Sequence, residues 1–286
     1  MKKIVALVFM VALAVCVCAQ STSRKFVLKN SADGKSELTV YLPSASAAEK
    51  AGGRIIVDCP GGGYTHLSMD NEGHNWAEFF NAQGIAYVVL QYRMPNGDRN
   101  IPLSDAYNAI RTVRDSAKVW NVNPRNVGIM GFSAGGHLAS SVSTHATKDV
   151  KPNFAILFYP VVSMILNETH KGSVNRFLGE NCQDKELIAE WTNYKKIDKD
   201  TPPTLLLLAS DDKAVPAATN AALYYAALCK NKVFCEMHSY PKGGHGFGFR
   251  DTFPFHNRML DNITEWLKSL PASPEVDAET GATAQK

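Results

Sequence analysis

The sequence predicts an α/β fold: a mostly parallel central sheet of about eight strands with helices on both faces. Three observations carry this expectation. Strand-like and helix-like segments alternate from Lys25 to about Leu270. Several strand candidates are unbroken apolar runs, such as Leu205, Leu206, Leu207 and Leu208, as strands buried on both faces require. The stretches between them carry apolar residues at helical spacing and are long enough to cross over the sheet.

Strands are expected at residues 25–28, 37–42, 54–59, 86–91, 127–131, 154–159, 204–209 and 234–239. A helix over 102–120 follows from the stripe Leu103, Tyr107, Ile110, Val113 and Ala117, with Pro102 in its first turn. Pro216 opens another that runs to about Cys229. The last presents Met259, Ile263, Trp266 and Leu270 on one face and is stopped by Pro271. Between Ser163 and Thr201 roughly forty residues stand where one crossover helix would suffice, so 163–201 is expected to form a partial cap over the site. The segment 271–286 has almost no large apolar side chain and is expected to be a disordered tail, which leaves 20–270 as the folded domain.

Composition excludes several classes. With 45% hydrophobic and 20% charged residues the 286-residue chain is too apolar for a disordered polymer. The formal net charge is +3, two units of which sit in Lys2 and Lys3, so nothing favours a nucleic-acid partner. Those lysines precede an apolar run from Ile4 to Ala19, shorter than the roughly 20 residues needed to span a bilayer. The run reads as a signal peptide, residues 1–19, cleaved before Gln20. A secreted or periplasmic protein without stable membrane insertion is expected, and Cys16 and Cys18 leave a lipid anchor open. Cys59, Cys182, Cys229 and Cys235 remain after cleavage. No CxxC spacing occurs, which argues against structural zinc. Buried thiols are favoured over a Cys229–Cys235 disulfide, which stays open.

The chemistry is carried by three separated motifs. The strand 127–131 runs into "GFSAGG", a G-x-S-x-G pattern in the strand-to-helix setting that a strained, exposed nucleophile needs. Ser133 is therefore the candidate nucleophile. A serine needs a base and a group to orient that base. Asp212, in "SDDKAVP" after a late strand, is the candidate acid, with Asp211 as its rival. His245, in "KGGHGFGF" after the last strand, is the candidate base. His66 and His74 follow a glycine loop and are expected near the mouth of the site. That loop, "CPGGGY", offers Gly62 and Gly63 as backbone donors for an oxyanion, with the Ala134 amide as the third. It matches neither GxxxxGK[ST] nor GxGxxG, so a phosphate site is disfavoured. Tyr64, His66, Tyr159, Phe177 and Trp191 are candidate substrate contacts. No histidine pair has HExxH spacing, and no metal or cofactor is expected.

In that order and setting, the motifs "CPGGGY", "GFSAGG", "SDDKAVP" and "GGHGFGF" resemble the α/β-hydrolases of the acetyl-xylan-esterase and feruloyl-esterase type over about residues 25–270. The resemblance implies an α/β-hydrolase fold and a secreted serine esterase acting on acylated plant-wall polysaccharides or oligosaccharides, acetylated xylan first and feruloyl esters second. Hormone-sensitive-lipase relatives usually carry His where Pro60 stands, and their helical N-terminal cap is not expected in this chain. The rivals are a serine peptidase of the prolyl-oligopeptidase type and a non-catalytic carbohydrate-binding module on a hydrolase fold. Oligomeric state stays open.

Overall fold

Segments that are apolar at consecutive positions lie at the centre of the sheet, and those that alternate lie towards one edge. The computed structural model describes residues 23–271. The expected signal peptide (1–19), the open lipid anchor and, from residue 272 on, the tail expected over 271–286 lie outside the described residues. Eight strands, β1 (Arg24–Lys29), β2 (Glu37–Leu42), β3 (Ile55–Cys59), β4 (Ala86–Gln91), β5 (Val127–Phe132), β6 (Phe154–Phe158), β7 (Thr204–Ala209) and β8 (Cys235–Tyr240), form one sheet. Their order is β1-β2-β4-β3-β5-β6-β7-β8. The pairs β1–β2 and β2–β4 are antiparallel, and every pair from β4 to β8 is parallel. Each strand lies within one residue of its expected ends. β3, β5, β6 and β7 are buried at every position, whereas β2 alternates and the edge strand β1 is largely exposed.

Among the described residues the helices are α1 (Ala45–Lys50), α2 (Ala77–Ala82), α3 (Asn100–Asp115), α4 (Ala117–Trp120), α5 (Ser133–His145), α6 (Lys171–Leu178), α7 (Lys185–Glu190), α8 (Ala221–Lys230) and α9 (His256–Ser269). Leu103 and Ile110 of α3, Leu138 and Val142 of α5 and Leu228 of α8 pack on one face of the sheet. Phe80 of α2 and Met259, Ile263 and Trp266 of α9 pack on the other. Parallel register sets the ends of β3, β5 and β6 side by side, with Cys59 opposite Gly131 and Phe132 opposite Phe158. The loops that follow these strands therefore converge at one end of the sheet, where sites in such folds form.

Two helix expectations are corrected. The single helix over 102–120 is two, because the backbone turns at Ser116 and Asn121 then ends α4 in the left-handed region. The apolar stripe predicted burial correctly, since Ala117 and Trp120 are both covered, but it carries no information on a straight axis. Pro216 opens a 3-10 turn, Ala217–Thr219, and α8 begins only after Asn220. The Asn220 side chain is committed elsewhere: its Oδ1 accepts from the Val162 amide and the Thr169 hydroxyl, and its Nδ2 donates to the Glu168 carbonyl. The thiols also differ from expectation. Among the described thiols only Cys59 is buried, and Cys229 and Cys235 lie with sulfurs 3.7 Å apart and unbridged.

One buried group weakens the core. Asp58 is on β3, on the same face as Ile56, and is fully covered. Neither carboxyl oxygen has a well-formed hydrogen bond, nor do the nearby Tyr87 hydroxyl and the Trp76 indole. Burial pushes the Asp58 carboxyl well above the usual range; the Tyr87 hydroxyl opposes this and the Glu72 charge adds to it. The folded chain thus retains a proton that the unfolded chain releases above about pH 4. The stability this group contributes is complete below that pH and is lost as pH rises towards the raised value. Asp58→Asn keeps the shape without the titration. Its melting temperature should exceed the parent's by a margin that widens from about pH 5 to about pH 8, reaching several degrees at roughly 2–4 °C per kcal/mol. Scanning fluorimetry across that range checks it, and a margin independent of pH would contradict a neutral Asp58.

Candidate active site

Ser133 stands where β5 turns into α5, with φ at +53°. That conformation costs a non-glycine residue roughly 1–2 kcal/mol, so the surroundings must enforce it. They do so by close packing. A Cβ on Gly135 would lie 2.0 Å from the Cys59 carbonyl oxygen, and one on Gly131 would lie 2.3 Å from the Gly135 carbonyl oxygen. Only glycine lets the start of α5 press onto the ends of β3 and β5, and the serine is left projecting at the turn.

The other two candidates meet it there. His245 Nε2 lies 2.8 Å from Ser133 Oγ, and His245 Nδ1 lies 2.6 Å from Asp212 Oδ2. Asp212 is buried, and its Oδ1 accepts the amides of Ala214 and Val215, each at 2.9 Å. Its second oxygen is thereby aimed at the imidazole. Asp211 is engaged differently: it accepts the Gly244 amide at 2.7 Å, a bond that holds its carboxyl below the usual range and pins the loop bearing His245. An aligned hydroxyl, imidazole and carboxylate can move a proton from the serine and steady the resulting imidazolium.

The glycine loop lies opposite. Gly62 has φ at +135°, and a Cβ there would meet the His66 carbonyl oxygen at 2.1 Å. Among the described residues no protein acceptor pairs with the amides of Gly62, Gly63 or Ala134, so all three are available to an oxyanion. Two side chains hold the loop at Pro60 and Gly61. Tyr92 donates its hydroxyl to the Pro60 carbonyl at 2.7 Å, and Glu72 accepts the Gly61 amide at 3.0 Å.

The resulting cleft is about 330 Å³, lined by Gly62, Gly63, Thr65, His66, Ser68, Asn71, Glu72, Ser133, His170, Ala214, His245, Gly246 and Arg250. Of the five expected substrate contacts only His66 is there. Tyr64 is buried, bonds His137 Nδ1 through its hydroxyl at 3.0 Å and stacks on the fully buried Phe177. Trp191 stacks on His145 and gives its carbonyl to His137 Nε2 at 3.0 Å. Burial pushes the His137 imidazole down to about 4, so it stays neutral between these partners. Tyr159 is buried and donates to Glu72. The aromatic residues of the insertion thus fasten it to the back of α5, and His170 is its one residue in the cleft. His74, expected near the mouth, pairs instead with the Tyr41 hydroxyl.

Sequence reasoning missed Glu72, Asn71, Arg250 and the approach of His170. Arg250, five residues beyond His245 in the same glycine-rich loop, could have been found by position. Nothing in the pattern marks Glu72. Among the described residues no cluster of three or more His, Cys, Asp or Glu side chains could hold a metal ion.

The BD-FAE family profile matches residues 38–227, from β2 through the glycine loop, Ser133 and Asp212 into α8. The chain belongs to the BD-FAE family. It is 47% identical over 268 residues to an acetylxylan esterase of Xylanibacter ruminicola, covering 93% of this chain and 54% of that one. It is 33% identical over 202 residues to endo-1,4-beta-xylanase B of Butyrivibrio fibrisolvens, covering 65% of this chain and 31% of that protein. The chain therefore spans about half the length, or less, of these curated relatives. An acetyl ester-xyloside bifunctional hydrolase from Caldicellulosiruptor lactoaceticus superposes with a TM-score of 0.75 at 34% identity, over 82% of this chain and 88% of that one. This member of the BD-FAE family has the α/β-hydrolase fold that its motif order implied.

The packing of Phe177 is testable. Phe177→Ala should cost about 3–5 kcal/mol and lower the melting temperature by on the order of 10 °C. An unchanged melting temperature would return Phe177 to the exposed, substrate-facing role first expected of it.

Proposed function

We propose that this chain is an exported serine carboxylesterase that removes acetyl groups from xylan-type polysaccharides. The single observation that carries the reading is the chain of contacts from Asp212 through His245 to Ser133, at 2.6 and 2.8 Å, facing unpaired amides across a small cleft. Ser133 Oγ attacks the ester carbonyl while His245 Nε2 takes its proton, and Asp212 steadies the imidazolium. The amides of Gly62, Gly63 and Ala134 receive the negative charge that forms on the carbonyl oxygen. His245 returns the proton to the departing sugar oxygen, leaving an acetyl group on Ser133. A water molecule, deprotonated by His245, then releases acetate and restores the serine.

Two further observations support an acetylated carbohydrate. The cleft lining holds imidazoles but no Phe, Tyr or Trp and no Leu, Ile, Val or Met, so it suits a small acyl group on a polar sugar better than a feruloyl group. The relatives of Xylanibacter ruminicola and Caldicellulosiruptor lactoaceticus carry names that refer to acetylxylan and to acetyl ester with xyloside. Export rests on the leader, residues 1–19, which the sequence alone supplies.

Purified protein should release acetate from acetylated xylan far faster than ferulate from feruloylated arabinoxylan, measured side by side. The opposite preference would replace acetyl with feruloyl, and turnover of peptide amides alone would replace esterase with peptidase. Ser133→Ala should retain only the residual catalysis of loop and binding, on the order of 10³–10⁴ over water. Asp212→Asn should lower kcat by about 10⁴, whereas Asp211→Asn should cost far less. Steady-state hydrolysis of 4-nitrophenyl acetate ranks the pair, and a reversed ranking hands the orienting role to Asp211.

A further inference from the structure

We propose that Glu72 is a positioning residue for this reaction: it locks the oxyanion loop to the His245 loop and keeps a second negative charge beside the imidazole. The inference rests on the Ser133 reading above. Glu72 is 5% exposed, and both of its oxygens accept hydrogen bonds. Oε2 takes the Gly61 amide at 3.0 Å, and Oε1 takes the Tyr159 hydroxyl at 2.7 Å. That hydroxyl in turn accepts the Gly248 amide at 3.0 Å. A continuous run of bonds thus leads from the glycine loop, through Glu72 and Tyr159, to a backbone amide three residues beyond His245. The neighbouring Asn71 adds two more ties, donating to the Gly246 carbonyl and accepting the Phe249 amide.

The arrangement has two consequences for chemistry. First, Gly61 spends its amide on Glu72, so the loop is oriented with Gly62 and Gly63 as the free donors. The fit is close, since a Cβ on Gly61 would meet Glu72 Oε2 at 2.6 Å. Second, a group accepting through both oxygens is suited by the carboxylate form, which has no proton to place against its donors. Burial pushes the Glu72 carboxyl up, while the bonds from Tyr159 and Gly61 and the nearby His245 and Arg250 pull it back. The charge costs desolvation and has no side-chain ion pair among the described residues, which is unusual unless it serves the site. Tyr159 carries its own strain, with φ at +33°, and its ring stands edge-on to His245 at 4.8 Å. The charged and titratable groups that share the cleft with the imidazole are Glu72, Arg250, His66 and His170, while Asp212 is bonded to its Nδ1 and the Tyr159 phenol and the Ser133 hydroxyl lie against it.

Three variants test this on 4-nitrophenyl acetate, with melting temperatures recorded alongside. Glu72→Gln keeps size and one acceptor but removes the charge, Tyr159→Phe breaks the run of bonds, and Glu72→Ala does both. Glu72→Gln should lower kcat by about 10²-fold, the loss typical of a slightly misplaced group, with KM little changed. Its acid limb in kcat/KM should move to lower pH, because an anion that favours the imidazolium is gone. Tyr159→Phe should lower kcat without moving the limb as far, and Glu72→Ala should be the slowest. Wild-type kcat and an unmoved limb in Glu72→Gln would overturn the proposal, even if Glu72→Ala were unstable or inactive, because that pattern assigns Glu72 to packing alone. Failure of the underlying reading looks different: Ser133→Ala would then retain turnover whatever Glu72 does.

Discussion

The structure depends on one close approach, the start of α5 against the ends of β3 and β5. Gly135 touches the Cys59 carbonyl so tightly that no side chain fits between them. This contact turns the chain sharply after Phe132, forces Ser133 into the left-handed region and leaves its hydroxyl projecting. It also seats the first amides of α5 beside the loop that leaves β3. A helix N-terminus favours negative charge nearby, so the geometry that exposes the nucleophile also prepares the place where an oxyanion would form. Widening the contact by a single methyl group would disturb both at once.

Much of the fold and the central contacts were legible because they depend on local pattern and chain order. Apolar runs such as Leu205 to Leu208 must be covered on both faces, and that fixed the central strands. Ser133, Asp212 and His245 could be named because each follows a strand, and parallel register brings strand ends together. What stayed hidden depends on contacts between distant segments. Tyr64 and Phe177 looked like exposed aromatic surfaces, yet they stack on each other across more than a hundred residues and vanish into the core. Glu72 has no local signature at all. Its importance comes from Gly61 on one side and Tyr159 on the other, and nothing in the sequence brings those two together.

The insertion illustrates how a long loop can be more structural than its length suggests. Asn193 donates to the Ser140 and Ser141 hydroxyls and to the His137 carbonyl, and His137 bonds both Tyr64 and the Trp191 carbonyl. These polar contacts are buried, where unpaired groups are costly, so they specify one seating of the insertion. They also stiffen the helix that carries Ser133. Much of the insertion buttresses α5, and its share of the cleft is the single imidazole of His170.

Two adjacent aspartates show how direction, rather than residue type, divides the labour. Asp212 Oδ1 is occupied by the Ala214 and Val215 amides, so only Oδ2 is free, and it points to His245 Nδ1. Asp211, more exposed, binds the Gly244 amide one residue before the histidine. One carboxylate fixes the ring and its neighbour fixes the backbone that carries the ring. Glu72 approaches the same loop from the opposite side, through Tyr159 and Gly248. A histidine in a glycine-rich loop would ordinarily be mobile. Here its backbone is tied by Asp211 ahead and by Tyr159 and Asn71 behind, so the glycines supply the tight path of the loop while the acids on either side supply its rigidity.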